Sequence, residues 1–416
     1  MIDLRNGDCL EVLKNIEDNS VDLILTDPPY ELNFMGKKWD NTGIAFNVEV
    51  WKEAYRVLKP GGYCMAFSGS RTYHRMAVAI EDAGFEIKDM IEWIYSTGFP
   101  KALDISKAID KKLGKEREII GEKMRPDGRT MAQTQPNGFV PQFTDCKTNK
   151  INAFITAPAS DLAKQYEGYK TQLKPAHEPI CLAMKPLSEK NFAENVMKWG
   201  TGGLNIDGTR IPTTENLGRE IYQTQSWKNT SKLGVGSVND DWKKGRYPAN
   251  FIISEDVAPI LDSQSGYSKS SKSKERDELK EKTLYKGGWK EIHRTSFTDE
   301  GGASRFFYNA KIEEEDYIPF CYTAKASKKE RNSDIKGQVH NNMNNHATVK
   351  PKSILTYLLK LGLPPQDSVV LDLFAGSGSL GLAIADINKE TGRNHKAILI
   401  EKDEEHCEII KKRCCL

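Results

Sequence analysis

The pattern of apolar and polar positions changes regularly along the first part of the chain. Between Val21 and about Ile94, short apolar runs separate stretches whose apolar residues recur at helical spacing. The segments that predict strands are 21–26, 63–67 and 85–95, with VDLILT at 21–26 as the first strand, and those that predict helices are 47–62 and 70–84. Strands that alternate with helices indicate an α/β sheet.

The same alternation returns near the end of the sequence. Helical spacing predicts helices over 351–363 and 380–392, and apolar runs predict strands within 368–378 and 395–403. After about Lys115, polar stretches dominate and only short apolar runs interrupt them, at 178–184 and 249–253. Regular structure at both ends with irregular material between them predicts one sheet that is split by insertions.

Composition and charge narrow the class of protein. The 416 residues include 60 Lys plus Arg against 58 Asp plus Glu, so a formal charge of +2 excludes a global field that attracts polyanions. Eight cysteines form no CxxC pair and no Cys/His cluster with zinc spacing, so no metal site is expected. No signal-peptide pattern is visible, and no apolar stretch approaches the roughly 18 residues of a membrane span. A cytoplasmic protein without membrane contact is the expectation.

A glycine-rich loop follows the predicted strand within 368–378. FAGSGSLG at 374–381 places Gly376, Gly378 and Gly381 in the pattern G-x-G-x-x-G, which lets the backbone turn sharply and approach a ligand. Glu401, at the end of the next predicted strand, can accept hydrogen bonds from ribose hydroxyls. Together these features predict a site for a nucleoside-bearing cofactor.

The cofactor site needs strands from elsewhere in the chain. Only 35 residues follow Gly381, too few for the rest of a dinucleotide fold. The strands between Val21 and Ile94 are the obvious supply, which would place the glycine loop and the end of the VDLILT strand on one sheet. Ligands of open α/β sheets bind at the carboxyl ends of strands, where both sequences fall.

The tetrapeptide Asp-Pro-Pro-Tyr directly follows the VDLILT strand, at 27–30. Pro28 and Pro29 lack N–H groups, so they make the turn rigid and leave carbonyl oxygens that can accept hydrogen bonds. The carboxylate of Asp27 is a second acceptor, and the ring of Tyr30 is a flat surface. Two acceptors and a stacking surface predict a pocket for a planar ring that carries an exocyclic amine.

An aromatic amine is a poor nucleophile because its lone pair is conjugated with the ring. Hydrogen bonds to the Asp27 carboxylate and the Pro28 carbonyl would draw the nitrogen toward tetrahedral geometry and release the lone pair for attack. A sulfonium methyl held by the glycine loop suits an in-line transfer without a metal or a covalent intermediate. Within a duplex the base must first flip out, at a cost of a few kcal/mol, of which stacking on Tyr30 would return roughly 1–3 kcal/mol.

These motifs resemble those of the amino-group DNA methyltransferases, which make N6-methyladenine or N4-methylcytosine from S-adenosylmethionine. The order of the motifs along this chain, with DPPY early and FAGSGS late, is similar to that of the β class of the family. The resemblance covers most of 1–115, then roughly 175–190 and 300–416. It implies an α/β, Rossmann-like methyltransferase sheet with circularly permuted motif order and inserted target-recognition regions.

The resemblance also implies roles for individual residues. The catalytic motif would be formed by Asp27, Pro28, Pro29 and Tyr30. The methionine side of the cofactor would be lined by Asp372, Phe374, Ala375, Gly376 and Gly378, and its ribose would be held by Glu401. NGDCLEVL would place Asp8 at the adenine amine of the cofactor with Cys9 beside it. HATVKP, with alanine where the family usually has proline, would place Thr348 and Lys350 near the cofactor carboxylate.

The same resemblance implies a division of the chain into five segments. They are a catalytic sheet with the DPPY motif at 1–115, an insertion at 116–174, a return strand at 175–190, a target-recognition insertion at 191–300 and a cofactor-binding part at 301–416. Lys37, Lys38 and Trp39, just after DPPY, are candidates for contact with the DNA backbone. The expected partner is double-stranded DNA in a bacterial or phage-infected cell, and the sequence leaves open both a homodimer and a separate restriction endonuclease.

Several alternatives remain open at this point. DPPY favours adenine over cytosine in this family, although the two chemistries are close. Enzymes that methylate RNA or a protein glutamine use related PPY turns. An NAD-type oxidoreductase would share the glycine loop, but the second half of a dinucleotide-binding fold is missing after it. A DNA-binding protein without enzymatic activity would have no need for both the DPPY turn and the glycine loop.

Overall fold

A computed structural model describes residues 1–32, 40–96, 98, 102–122, 154–213, 245–269, 300–311 and 349–416. The chain divides into two compact units. The first unit comprises residues 1–96, 177–313 and 325–416, and the second comprises residues 97–176 and 314–324.

A nine-stranded sheet forms the centre of the first unit. Its strands are β1 Ile2–Asn6, β2 Val21–Thr26, β3 Leu58–Phe67, β4 Glu86–Ile94, β7 His177–Met184, β8 Phe251–Ser254, β11 Tyr308–Ala310, β12 Val369–Asp372 and β13 Lys396–Glu401, and β9 Ser268–Lys269 and β10 Glu300–Gly301 form a separate antiparallel pair. The order of strands in the large sheet is β1-β13-β12-β2-β3-β7-β4-β8-β11. All neighbours pair in parallel except β7, which is antiparallel to both β3 and β4. The predicted α/β fold is therefore confirmed.

Helices cover both faces of this sheet. In chain order, the helices among the described residues of the first unit are α1 Cys9–Leu13, α2 Val48–Val57, α3 Tyr73–Asp82, α6 Phe192–Trp199, α7 Ala258–Ser265, α8 Lys352–Gly362, α9 Ser379–Thr391 and α10 Glu404–Cys414. Alternation along β2 sends Leu23 and Leu25 into the core beneath α8 and α9, whereas Ile24 packs with the core under α1, α2 and α3. Burial of each such side chain stabilises the fold by about 1.5–3 kcal/mol.

Two sequence predictions about strand bounds need correction. VDLILT is not the first strand, because Ile2–Asn6 precedes it and pairs with β13. The helix predicted over 47–62 ends at Val57, and Pro60, Gly61 and Gly62 lie inside β3. The strand tolerates this proline because Pro60 lies where the pairing of β2 with β3 is irregular, between Leu58 and Tyr63, so its missing N–H group breaks no regular ladder bond to β2. Its carbonyl oxygen accepts hydrogen bonds from the side chains of Asn195 and Thr201.

The described part of the second unit contains two helices and a small two-stranded sheet. They are α4 Ile105–Lys112, α5 Asp161–Gln165, and the antiparallel strands β5 Ile119–Glu122 and β6 Phe154–Thr156. Asp110 is fully buried among them. Burial alone would raise the pKa of its carboxyl, but hydrogen bonds from Ser160, Ala159 and Arg117 lower the pKa to about 2.

The observed units divide the chain differently from the five predicted segments in two places. The second unit begins at residue 97, within the segment predicted as 1–115. Strand β8, from the predicted insertion 191–300, pairs with β4 in the main sheet. The segment boundaries and the role of 191–300 in target recognition stay predictions. Among the described residues, no helix is long and apolar enough to cross a membrane.

The topology brings the carboxyl ends of the parallel strands to one edge of the sheet. Asn6 and Glu401 are paired at the ends of β1 and β13, and Thr26 and Asp372 end the neighbouring strands β2 and β12. Strand β7 runs the other way, so its amino end reaches this same edge. This edge, with the turns that leave it, carries the candidate site.

Candidate active site

The DPPY turn leaves the sheet at the end of β2. Pro28 is buried, while Asp27, Pro29 and Tyr30 are partly exposed. The hydroxyl of Thr72 donates a hydrogen bond of 2.8 Å to the carbonyl oxygen of Tyr30, which fixes the backbone at the end of the turn. The turn is thus a rigid connection from a buried strand to the surface, as the two prolines predict.

A buried lysine contacts the carboxylate of Asp27. The Nζ atom of Lys350 donates a hydrogen bond to Oδ2 of Asp27, and the lysine side chain is only 4% exposed. Its Nζ atom lies 5.0 Å from the ring centroid of Tyr30 and 4.8 Å from that of Phe67. The cation is therefore held by one carboxylate and two aromatic rings, a favourable arrangement away from water.

A second acid belongs to the same cluster. The hydroxyl of Tyr30 donates a hydrogen bond of 2.6 Å to Oε2 of Glu178, which lies 3.7 Å from Nζ of Lys350. Burial raises the pKa of Tyr30 well above its ordinary value, and the charges of Asp27 and Glu178 add to this effect. The phenol therefore stays protonated and remains a hydrogen-bond donor.

The second oxygen of Asp27 differs from the first. Its Oδ1 atom is buried, and no donor within the described part of the chain contacts it. A buried carboxylate oxygen without a partner is unfavourable. It is satisfied when a ligand brings an N–H group, which is what an exocyclic amine supplies.

The glycine loop joins β12 to α9 through a tight turn. The Ala375 N–H donates to the carbonyl oxygen of Ile400, and the Gly378 N–H donates to that of Ala375, at 2.9 and 2.8 Å. Gly376 and Gly378 have φ values of 55° and 79°, in the left-handed region that favours glycine. Phe374, partly exposed, precedes this turn. These conformations confirm the local geometry that the glycine spacing predicts.

A buried arginine from the last helix supports this loop. The Nη1 atom of Arg413 donates to the carbonyl oxygen and the hydroxyl of Ser377, at 2.6 and 2.9 Å. Arg413 is 1% exposed. Nothing in the local sequence around Arg413 indicates this role, because its partner lies 36 residues away.

Thr26 connects the DPPY turn to the glycine loop. Its hydroxyl donates a hydrogen bond of 2.8 Å to Oδ1 of Asp372 and accepts one of 3.1 Å from the Leu373 N–H. Burial raises the pKa of Asp372 to about 7, although the hydrogen bonds from Thr26 and the Phe374 N–H oppose this shift. The last residues of two adjacent strands are thereby locked together.

The N-terminal motif meets the same loop through Glu401. The carboxylate of Glu401 accepts hydrogen bonds from the N–H groups of Gly376 and Asp403, at 2.7 and 2.9 Å. Its carbonyl oxygen accepts one of 3.0 Å from the Gly7 N–H. Asp8 caps α1 by accepting from the Leu10 N–H, and its other oxygen lies 3.0 Å from Nζ of Lys402.

Cys9, next to Asp8, points into the protein. It is 6% exposed, and burial together with the charge of Asp8 raises the pKa of its thiol to about 12. The thiol is therefore not a nucleophile at neutral pH. It belongs to the apolar packing beside the predicted cofactor site.

The structure thus brings three groups of predicted residues to one edge of the sheet. Asp8, Asp372 and Glu401 follow or end the adjacent strands β1, β12 and β13, and the DPPY turn leaves the next strand. Lys350 lies on Asp27, and its predicted place near the cofactor carboxylate stays a prediction. Lys37, Lys38, Trp39 and Thr348 lie outside the described residues. Within the described ranges, no group of three or more His, Cys, Asp or Glu residues could hold a metal ion.

Sequence reasoning missed Glu178, Arg413 and Thr26 as members of the site. A signal existed for Glu178, because a charged residue opens an otherwise apolar run, EPICLAM. Its importance depends on the antiparallel direction of β7, which the run itself does not reveal.

These residues fit S-adenosylmethionine in chemical terms. Acceptor oxygens of Asp8 and Glu401 suit an adenosine moiety, and the two left-handed glycines permit close approach of the backbone. The partly exposed ring of Phe374 adds an apolar surface beside the loop. The site fits a nucleoside that carries a small charged group.

Comparison with known proteins identifies the family. The model of the N6 and N4 DNA methylases, described as "DNA methylase", matches residues 21–412. The chain belongs to this family, which confirms the resemblance inferred from DPPY and FAGSGS. The cofactor of the family is S-adenosylmethionine, as the sequence predicts.

Individual relatives match shorter parts of the chain. The Type II methyltransferase M.HpaI of Haemophilus parainfluenzae is 36% identical over 104 residues, which are 23% of this chain and 32% of that protein. M.HindIII of Haemophilus influenzae is 29% identical over 135 residues, 22% of this chain and 43% of that protein. The chain thus spans less than half the length of either relative. The solved PvuII DNA methyltransferase, described as cytosine-N4-specific, has a TM-score of 0.42 and 12% identity, over 99% of this chain and 86% of that one.

Proposed function

We propose that this protein is a site-specific DNA methyltransferase that transfers a methyl group from S-adenosylmethionine to the N6 amine of a flipped-out adenine in double-stranded DNA. The observation that carries the proposal is the buried Oδ1 atom of Asp27, which no described donor contacts, on a turn bonded to the glycine loop through Thr26 and Asp372. An acceptor for an amine and a loop suited to the cofactor are thereby held in one rigid frame. The segment 191–300 is the proposed source of target readout.

The chain's residues act on the amine and not on the methyl group. When bound, S-adenosylmethionine supplies an electrophilic sulfonium methyl. Asp27 Oδ1 and the Pro28 carbonyl accept hydrogen bonds from the amine, so the nitrogen lone pair points away from the ring. The nitrogen–carbon bond forms as the carbon–sulfur bond breaks, and the amine then releases one proton to solvent. Positioning of this kind converts a bimolecular encounter into an oriented reaction.

Tyr30 is the proposed stacking surface for the flipped base. Its backbone carbonyl oxygen accepts a hydrogen bond from Thr72, and its hydroxyl donates one to Glu178, so the residue is fixed at both ends. A fixed ring loses less conformational freedom when a base stacks on it. Stacking of one base is worth about 1–3 kcal/mol, comparable to the few kcal/mol that flipping requires.

The two acceptors, one carboxylate oxygen and one carbonyl oxygen, can accept hydrogen bonds from the amine of either adenine or cytosine. The choice of adenine therefore rests on the DPPY sequence alone. N4 of cytosine is therefore the second candidate acceptor. RNA and protein glutamine are weaker candidates, because the family is one of DNA methylases.

Mass spectrometry of nucleosides tests the proposal directly. Unmethylated DNA is incubated with S-adenosylmethionine and the unmodified protein, the Asp27→Ala variant or the Asp161→Ala variant. Asp161 is the matched control, an exposed aspartate paired with Lys164 at 2.9 Å. We expect N6-methyladenine from the unmodified protein and the control, with a loss of at least about 100-fold in Asp27→Ala. N4-methylcytosine would keep the mechanism and change the base, whereas no methylated base in DNA would contradict the proposal.

A further inference from the structure

A carboxylate without an assigned role lies at the catalytic edge of the sheet. Glu178 is 3% exposed and is the second residue of β7, opposite Trp93 of β4. The antiparallel direction of β7 brings this residue to the edge where the parallel strands end. An acid that is buried at such a place needs close partners to remain charged.

One oxygen of Glu178 serves two members of the active site. Its Oε2 atom accepts the 2.6 Å hydrogen bond from the hydroxyl of Tyr30 and lies 3.7 Å from Nζ of Lys350. Lys350 in turn donates to Oδ2 of Asp27. The acid thus reaches both the aromatic ring and the catalytic carboxylate of the DPPY turn, without belonging to that turn.

The two oxygens of Asp27 are distinguished by this arrangement. Oδ2 contacts the lysine that Glu178 helps to hold, and Oδ1 is the buried atom that no described donor contacts. If Lys350 moved onto Oδ1, the acceptor for the amine would be blocked. A second anion behind the lysine opposes that movement by attracting the ammonium group.

We propose that Glu178 is a positioning residue for methyl transfer, and this role rests on the proposed function. It fixes the position of the Tyr30 ring through the phenol hydroxyl and holds Lys350 on Oδ2 of Asp27, which leaves Oδ1 to the target amine. Hydrogen bonds to a charged acceptor are short and strong, as the 2.6 Å distance shows. Tyr30 is thereby held at its side chain and at its backbone, since Thr72 donates a hydrogen bond to its carbonyl oxygen.

Two substitutions separate charge from shape at this position. Glu178→Gln keeps an oxygen that can accept from Tyr30 but removes the negative charge, and its near-identical shape makes it the variant most compatible with folding. Glu178→Leu removes both. Tyr30→Phe removes the hydroxyl alone, and the double variants report whether the two residues act through one contact.

Glu92→Gln is the matched control. Glu92 lies on β4 opposite Pro179, so its side chain is on the other face of the sheet from Glu178, and its carboxylate lies 3.8 Å from Nε2 of His177. It has the same chemistry and a similar position along the strands. A general effect of removing an acid from this region would appear in both variants.

The measurement is the rate of methyl transfer in a single turnover. The substrate is a DNA duplex that contains the recognition site, which is first found by sequencing DNA that the protein has methylated. The same duplex with 2-aminopurine at the target base reports flipping and stacking by fluorescence. We expect Glu178→Leu to lower the single-turnover rate about 10- to 100-fold, with DNA affinity changed by less than about threefold. Glu178→Gln should lower the rate less than Glu178→Leu, and Glu92→Gln should match the unmodified protein.

The double variant and the fluorescence distinguish positioning from a purely structural role. Because both residues act on one ring, Glu178→Leu with Tyr30→Phe should be no more than about threefold slower than the slower single variant. The fluorescence of the bound 2-aminopurine should change in Glu178→Leu, as a loosely held ring stacks less well. A structural role would lower the unfolding midpoint while the folded variants kept the full rate and the same fluorescence.

The outcomes separate this role from the proposed function. A methylating protein whose Glu178→Gln and Glu178→Leu variants keep the unmodified single-turnover rate would overturn the positioning role alone. Rates of the single variants that multiply in the double variant would overturn the shared contact with Tyr30. An unmodified protein that methylates no DNA would overturn the proposed function, and the role of Glu178 with it.

Discussion

The hydroxyl of Thr26 donates a hydrogen bond of 2.8 Å to the carboxylate of Asp372, across 346 residues of sequence. This bond ties the strand before the DPPY turn to the strand before the glycine loop. Both residues are buried, at 2% and 6% exposure. The two motifs therefore share one support, and any change in the charge of Asp372 acts on both of them.

Asp372 predicts a specific pH dependence of stability. Burial raises the pKa of its carboxyl to about 7 in the folded protein, whereas an unfolded aspartate titrates near about 4. Between these values the folded state holds a proton that the unfolded state has released. Stability is therefore expected to fall as pH rises from about 4 to about 7, and to stay at the lower level above pH 7.

Asp372→Asn tests this dependence. An asparagine oxygen can accept from Thr26 and the Phe374 N–H without carrying a charge, so we expect the fall across this pH range to shrink by on the order of a few kcal/mol. Urea unfolding at pH 5 and pH 8 measures the difference between variant and unmodified protein. Asp367→Asn is the control, since Asp367 lies near the surface and accepts from the Asn394 N–H. Equal differences at both pH values in Asp372→Asn would contradict the prediction.

Lys350 is expected to be essential for stability as well as for the site. Lys350→Met would leave the carboxylates of Asp27 and Glu178 close together without their shared cation. Removal of one partner from a buried ion pair costs about 3–5 kcal/mol. Urea unfolding of Lys350→Met should show a loss of this size. Lys360→Met is the control, since it removes a more exposed ion pair with Glu390 and should change the free energy of unfolding by less than about 1 kcal/mol. Equal losses of stability in the two variants would show that burial of the Lys350 pair is not the cause of its effect.

Gly378 tests the geometry of the glycine loop. Its φ of 79° is in the left-handed region, and a Cβ atom there would lie 3.1 Å from the side chain of Ile410. Gly378→Ala should therefore cost more than the roughly 1–2 kcal/mol of the backbone conformation alone, and should weaken the thermal stabilisation by S-adenosylmethionine. Gly392→Ala is a close control, because its φ is 70° and a Cβ atom there would contact nothing within 4 Å. If both variants lose the same stability and keep the same response to the cofactor, crowding at Gly378 has no effect.

The sequence predicts part of this site because part of the chemistry is local. The prolines after Asp27 and the spacing of Gly376 and Gly378 act within a few residues, so their conformations follow from the amino-acid types. Lys350 reaches Asp27 across 323 residues, and Glu178 reaches Tyr30 across 148. Those contacts depend on strand order and on the reversed direction of β7, which no short segment encodes.

The strand bounds show the same limit. Pro60, Gly61 and Gly62 resemble the end of a helix, yet they lie inside β3, at a place where its pairing with β2 is irregular. Asn195 and Thr201 donate hydrogen bonds to the proline carbonyl there. Local preference predicts a break in the chain there. Tertiary hydrogen bonds keep the strand continuous, so the prediction was wrong.

The lysines just after the DPPY turn give the last prediction. Lys37 and Lys38 are candidates for contact with the DNA backbone, and each phosphate contact releases about 0.9 counterion from duplex DNA. Lys37→Ala with Lys38→Ala should therefore reduce the slope of log affinity against log salt concentration by about 1.8 and weaken binding at low salt. Fluorescence anisotropy with a labelled duplex at several salt concentrations measures this slope. Lys14→Ala with Lys52→Ala is the matched control, since both lysines are exposed and paired with Glu11 and Glu49 at 2.8 Å. An unchanged slope in the first pair, or an equal change in both pairs, would exclude a specific backbone contact at Lys37 and Lys38.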